Sequence, residues 1–299
     1  MSSLTLLAQL PVLNLQLIVN GLLVGALFAL VAYGMSLVWG VMDVINIAQG
    51  ELVMAGGYLV WYLFQLGLTP VLGIPVAMVV MYFVGVAMYR VAIFRIVNRE
   101  FFISILATFG FSILIQQILN QIFGSNVRTV PYDLGSWFLF NGIVSIPKIK
   151  FIAFVAALAL GAALMLFMRR SRMGQAIRAT AQNARAARIL GINTDRVYAA
   201  TFGLNAALCT AAGGLVAMIW FIQPYQGLAY TIRSFMIVIV AGLGNLFGVV
   251  VAGLGLGIAE NYAGFIFGAE YQAAFVYILL VLILVWRNLR LRRKRTYLS

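Results

Sequence analysis

Histidine is absent from the 299 residues, and cysteine occurs once, at Cys209 inside an apolar run. These two shortages remove His-ligand metal sites, Ser/His and Cys/His dyads and any intrachain disulfide. Acidic residues number seven against twenty Lys and Arg, and outside 43–51 they form no cluster that acid–base catalysis would need. The three lysines, Lys148, Lys150 and Lys294, follow no glycine-rich loop that would cradle phosphates, so the chain carries no P-loop. The prolines Pro70, Pro75, Pro131, Pro147 and Pro224 sit at the ends of apolar runs or in connections, as expected where helices must keep their hydrogen-bond ladders. No Lys or Arg precedes the first apolar run, and that run exceeds a signal-peptide core, so the first span is expected to stay in the protein.

What remains is a membrane composition. Hydrophobic residues make up 64% of the chain and charged residues 9%, more apolar surface than a soluble domain of this length buries. Apolar runs near the bilayer-crossing length fall at about 15–38, 50–66, 74–90, 101–123, 149–168, 197–222, 232–248, 249–266 and 272–288. The expectation is an all-α polytopic bundle of about eight or nine spans in a single membrane domain, residues 1–299. Gly21 and Gly25, Gly244 and Gly248, Gly253 and Gly257, and Gly264 and Gly268 give small-xxx-small spacings suited to close helix approach. For any one pair, ordinary glycine abundance is an equal explanation.

Basic residues orient the bundle. Arg90, Arg95 and Arg99 lie in one gap, seven arginines fall between 169 and 196, and six basic residues from Arg287 to Arg295 follow the last span, sixteen of the twenty in all. The positive-inside rule makes these regions cytoplasmic and leaves Arg128, Lys148, Lys150 and Arg233 for the outer side. The main extracytoplasmic loop is then about 124–150, with Asp133 and Trp137 near an interface, and 287–299 is a basic cytoplasmic tail. Trp39, Trp61, Trp137, Trp220 and Trp286 mostly fall near span ends, as an interfacial belt does. The side of the N-terminus stays open, and 39–50 crosses or re-enters. The net charge of +13 is confined to short gaps and the tail, which excludes a nucleic-acid-binding face.

Within 169–196, Thr180 is a candidate N-cap, 181–190 is rich in helix formers, and Gly191 fits a C-terminal stop, predicting one short helix of about three turns. Asn193 or Thr194 would cap the next span. Arg178, Arg185 and Arg188 fall on one side of that helix, while Ala184, Ala187 and Leu190 form a small apolar strip. Such a helix inserts into a cleft on a partner or lies on anionic lipid.

The run from Ala184 to Asn193 resembles the coupling loop of ABC-importer permeases, and is most similar to that of the branched-chain amino acid permease family of the LivH type. Two further blocks agree: Val44 to Glu51 with Gly56 and Gly57, and Pro224 with Gly227 through Phe235, Gly242, Gly244, Gly248, Gly253 and Glu260. Gln49 stands where the family usually has His, Arg185 takes the acidic position of the loop pattern, Ala241 replaces a common Gly, and a basic tail replaces the usual Pro-Gly ending. The resemblance implies a multi-pass permease of the bacterial inner membrane, itself no enzyme and without a cofactor. It further implies a second homologous permease, two cytoplasmic ATP-binding subunits holding ATP and Mg, and a periplasmic binding protein that delivers a branched-chain or related hydrophobic amino acid. Urea, short amides or aromatic acids are the alternative cargo within the family, and an ion-coupled secondary carrier is the alternative outside it.

Coupling to the ATPase is expected at Arg178, Ala184, Arg185, Ala187, Arg188, Leu190, Gly191 and Asn193. The pathway is expected where polar groups are stranded in apolar sequence: Asp43, Asn46, Gln49, Gly50, Glu51 and Glu260. An ionised carboxylate at the bilayer centre costs about 2.5–3.5 kcal/mol, so these side chains must face protein, water or an interface. If Gly50 marks a broken helix, the following helix N-terminus meets a substrate carboxylate, or else Glu51 itself serves as its cap. Glu260 is read as an anchor or gate lining. Gln223, Tyr225 and Gln226 are candidate contacts for the binding protein.

Overall fold

The computed structural model describes residues 11–97, 101–132, 134–139 and 144–296. Arg99, Asp133 and the last three residues of the expected tail lie outside them. Eleven α-helices are present among the described residues: α1 (Pro11–Met42), α2 (Gln49–Gln65), α3 (Pro70–Val91), α4 (Phe101–Phe123), α5 (Lys148–Arg170), α6 (Arg172–Gln182), α7 (Ala184–Ile189), α8 (Thr194–Ile219), α9 (Gly227–Ala241), α10 (Leu246–Phe267) and α11 (Gln272–Thr296). Nine of them correspond to the nine apolar runs, although the run expected over 232–248 is split between α9, which ends at Ala241, and the start of α10, and seven are long and apolar enough to cross a membrane. The two that fall short are α2 and α9, of 17 and 15 residues. Proline placement departs from expectation once: α3 begins earlier than its apolar run, with Pro70 in its first turn, so Pro75 lies inside the helix.

The centre is built on α8. Its buried positions include Ala199, Ala206, Ala211, Ala212, Gly213 and Gly214, small residues that let neighbouring backbones approach where no water drives helices together. A Cβ on Gly213 would collide with the Val53 carbonyl of α2. Helices α1 and α10 pack as closely along a glycine seam: Gly21 and Gly25 face Gly257 and Gly253, and added methyls would strike backbone on both sides. The other two glycine pairs do not pack helices in this way. Gly244 and Gly268 turn the chain at positive φ, Gly248 meets the Asn245 side chain, and Gly264 meets Gln272. Around this core α3, α4, α5 and α11 present apolar side chains outward, among them Phe83, Leu106, Ile152 and Leu282, the surface a bilayer covers.

The two ends of the bundle differ. At one, strands β1 (Ser136–Leu139) and β2 (Val144–Pro147) pair antiparallel. Ser145 exchanges two hydrogen bonds with the Gln16 side chain of α1, and Arg128 pairs its backbone with Ile222. At the other, Gly40 of α1 shares a cavity wall with Arg169 and Arg178, and Arg90 shares one with Asn193 and Arg196. The start of α1 therefore lies opposite the basic loops, a point the charge pattern leaves open. The basic segment from 287 continues α11 to Thr296 instead of forming a separate tail.

Between α5 and α8 the single helix expected over 181–190 is two helices. Asn183 is extended, at φ −159°, and its side chain caps α7 by accepting from the Ala186 N–H at 3.0 Å. Ser171 caps α6 in the same way, so Thr180, expected as a cap, lies buried inside α6. An Asx residue that offers its own side chain to the backbone competes with helix continuation, which explains the break. Gly191 takes φ +84° after α7, the left-handed stop that its sequence position calls for, and Asn193 caps α8 through the Arg196 N–H.

Candidate functional site

Helix α1 ends at the basic end, where Asp43 adopts φ +53°, a left-handed corner that Asp tolerates better than most residues. From there the chain runs back into the bundle as non-helical backbone and restarts as α2 at Gln49. The Gln49 side chain reaches the Val31 carbonyl at 2.9 Å and Cys209 Sγ at 3.1 Å. Cys209 lies about 22 Å along α8 from its start, so the restart is deep inside the protein. The stretch 39–50 thus turns back into the bundle and, with α2 carrying on to Trp61 beside Arg128 at the opposite end, completes a broken crossing instead of returning to the side it left. Backbone without a helical ladder is tolerated at such depth only when protein satisfies its polar groups.

Two hydroxyls do so. Thr108 Oγ of α4 lies 3.0 Å from the Ile45 carbonyl and 3.2 Å from the Ile47 N–H. Thr231 Oγ of α9 accepts from the Gly50 N–H at 2.8 Å and donates to the Ile47 carbonyl at 3.0 Å. Gly50 is required here, because a Cβ would run into the Gly227 carbonyl. Gly227 is the first residue of α9, so the N-termini of two short helices, α2 and α9, meet in the interior. Each brings the positive end of a helix dipole.

Glu51 occupies that meeting point. It is fully buried, its Oε1 accepts from Gln116 Nε2 at 2.7 Å and Ser112 Oγ at 3.4 Å, and its Oε2 has no protein partner. Its carboxyl abuts Gly227, where any Cβ would overlap it. The carboxyl sits in the first turn of its own helix and against the start of the neighbouring one. Asn46 joins the group by donating to Gln49 Oε1 at 3.4 Å. Asp43 does not. It is exposed at the basic end, lining a cavity of about 240 Å³ with Ser104, Thr180, Asn183 and Tyr198.

Glu260 lies elsewhere as well. It forms a bidentate ion pair with Arg233 on the opposite face of α9 from Thr231. Arg233 is largely buried and lies toward the end bearing Lys150, the side on which counting places it. The pair lines the most spacious cavity described, about 460 Å³, with Asn20, Lys150, Gln226 and Asn261 around it. In the connection before α9, Tyr225 is exposed, Gln223 is half-buried, and Gln226 turns into this cavity, its Oε1 buried without a partner.

The residues expected to couple to an ATPase divide between two helices. Arg178 is on α6 and reaches the Arg169 carbonyl, while Arg185 and Arg188 are on α7, with Arg188 folded back to donate to Thr194 Oγ at 2.6 Å. The predicted apolar strip is also revised. Ala187 is 2% exposed and packs inward, Ala184 is half-buried, and the free apolar surface is Ile189 and Leu190, 86% and 81% exposed. Gly191 and Asn193 complete the exposed tip. Thr108, Ser112, Gln116, Gly227, Thr231 and Arg233 were not among the expected site residues. For the first three the signal was present, since Ser104, Thr108, Ser112 and Gln116 recur every four residues along an otherwise apolar helix and so share one face.

Long apolar helices around two short helices that meet head to head, with an exposed basic hairpin at one end, define a multi-pass membrane protein of the permease class. The family model described as branched-chain amino acid transport system / permease component matches residues 17–284, and the chain belongs to that family. It is 32% identical over 288 residues to the high-affinity branched-chain amino acid transport system permease protein BraD of Pseudomonas aeruginosa, covering 91% of this chain and 94% of that one. It is 33% identical over 285 residues to LivH of Escherichia coli K12, covering 91% and 92%. A probable LivH permease of Methanocaldococcus jannaschii is 29% identical over 84% of this chain and 81% of its own. No solved structure matches the chain.

Proposed function

We propose that the chain is the transmembrane permease subunit of an ATP-driven importer in the inner membrane, forming half of the pathway for branched-chain or related hydrophobic amino acids. The observation that carries this reading is the interior junction of α2 and α9, in a chain whose relatives are branched-chain amino acid permeases. Short helices that start inside a membrane protein are where transporters place substrate carboxylates. In this conformation Glu51 and Thr231 fill the junction, so it is closed. The cavity beside Asp43 approaches from the basic, cytoplasmic end, and the cavity at Arg233 and Glu260 lies toward the end bearing Lys150.

Partner roles follow from the same reading. A second homologous permease completes the pathway, and a binding protein docks outside near Tyr225, with Gln223 and Gln226 behind it. Two ATPase subunits bind ATP and Mg, which this chain does not hold. They press on the hairpin of α6 and α7 through Ile189, Leu190 and Gly191, flanked by Arg178 and Arg185. Closure of the ATPases shifts α6 and α7 against α1 and α8, and an element with two packings opens the junction to one side or the other.

The test is uptake of labelled leucine into liposomes holding the full complex. ATP-dependent uptake that requires the binding protein supports the reading. Uptake driven by a proton or sodium gradient through this chain alone would replace it with a secondary carrier. Mass spectrometry of the ligand carried by the binding protein separates a branched-chain amino acid from urea, a short amide or an aromatic acid.

A further inference from the structure

At the basic end the cavity shared by Gly40, Arg169 and Arg178, about 270 Å³, separates the helix α6 from α1, α5 and the turn into α10. Its walls are apolar, with Met165 and Met168 on one side and Phe247, 71% exposed, at the rim. On α1 it meets Ser36, 1% exposed, whose hydroxyl has no hydrogen-bond partner. Arg169 and Arg178 flank it, both exposed. Arg178 gives one N–H to the Arg169 carbonyl at 3.5 Å, and no acidic residue is among its lining residues.

We infer that this cavity is a binding site for one anionic phospholipid of the cytoplasmic leaflet. The phosphate sits between the two guanidiniums, whose planar forks match phosphate oxygens. The upper methylenes of one acyl chain lie against Met165, Met168 and Phe247, and an ester oxygen accepts from Ser36. A soluble phosphate makes no use of the apolar walls, and a zwitterionic lipid brings the same phosphate but adds its own ammonium cation beside two guanidiniums. Basic pockets between spans on the cytoplasmic side suit such headgroups. The lipid would fill the joint between α6 and the bundle, so leaflet charge would bear on the element the ATPase moves. The inference stands on cavity geometry and does not depend on which solute the protein carries.

The test is native mass spectrometry of the full chain purified with its assembled partners, titrated with phosphatidylglycerol or phosphatidylcholine of identical acyl chains. Phosphatidylglycerol is expected to be retained in preference. Two cations contribute about fivefold each near an anionic headgroup, so Arg169→Gln with Arg178→Gln lowers retention about 25-fold. Ser36→Ala lowers it about threefold, the worth of one neutral hydrogen bond. Millimolar inorganic phosphate leaves the lipid in place. Equal retention of the two lipids, or unchanged retention in the double variant, would overturn the inference. Displacement by inorganic phosphate would also overturn it, in favour of a soluble anion. If the double variant fails to assemble, Ser36→Ala decides alone, and unchanged retention there rejects the site.

Discussion

Thr231 holds the N–H of Gly50, 181 residues earlier in the chain, at 2.8 Å, and the same hydroxyl donates to Ile47. Replacing Thr231 with Val keeps the shape and leaves two interior backbone groups unpaired, at about 1–3 kcal/mol each. Thermal unfolding of the purified protein should fall clearly for Thr231→Val and little for Thr231→Ser. Equal unfolding of the two variants would show that the hydroxyl does not hold the break.

Gly227 and Glu51 compete for one volume. Gly227→Ala drives its methyl into the carboxyl, and overpacking of this kind costs about 1–3 kcal/mol. Shortening the carboxylate removes the clash, so Glu51→Ala combined with Gly227→Ala should lose less stability than the sum of the single changes. A double-mutant cycle on unfolding free energy reads this directly, and simple additivity would place the two residues out of contact.

Arg233 and Glu260 make the ion pair of α9 and α10, with side chains 17% and 8% exposed. Removing one partner strands a charge at a cost of about 3–5 kcal/mol, whereas replacing both with apolar residues of similar volume is often tolerated. Arg233→Met and Glu260→Leu should each reduce assembled protein, and the pair together should recover much of it. Yield of monodisperse protein after size exclusion is the readout.

At the hairpin tip, Ile189 and Leu190 touch little of their own chain, so Ile189→Asp with Leu190→Asp should leave unfolding within about 0.5 kcal/mol of the parent. ATP-driven uptake should nevertheless fall more than about tenfold, which corresponds to more than about 1.4 kcal/mol of lost coupling. Ala187→Leu should do the reverse first, lowering stability because Ala187 faces inward. Normal uptake in the double aspartate variant would remove the tip from the coupling surface.

Cys209 is fully buried, so the parent protein should resist a maleimide that reacts with exposed thiols. Against that silent background, Tyr225→Cys should label in intact cells with an impermeant reagent, and Leu190→Cys only after permeabilisation. The opposite pattern would invert the membrane orientation.

The helices were legible because each span is a long apolar run, a local property that neighbours do not alter. Packing partners were not. Gly21, Gly25, Gly253 and Gly257 form a seam and Gly244 and Gly248 do not, although the spacing is the same, because spacing alone does not say what a helix faces. The polar neighbours of Gly50 raise a broken helix only as a condition, and the non-helical stretch lies just before it, at 43–48. Thr231 escaped notice because a single hydroxyl in an apolar helix usually bonds its own backbone, and only the fold brings it to Ile47. The Asn183 break does not show in a stretch rich in helix formers, because it depends on an Asn side chain capping the following helix. Glu260 draws attention by its charge, but counting basic residues gives Arg233 only a side of the membrane and says nothing of its partner.

The glycine seam between α1 and α10 has a mechanical consequence. With backbones touching at Gly21, Gly25, Gly253 and Gly257, and with Asn261 tied to the Leu17 carbonyl at 2.7 Å, these two spans form a keel that travels as one piece. Sliding or tilting in the transport cycle then falls to looser surroundings, above all α4, whose polar stripe can unlatch from the non-helical stretch before α2 without disturbing the keel.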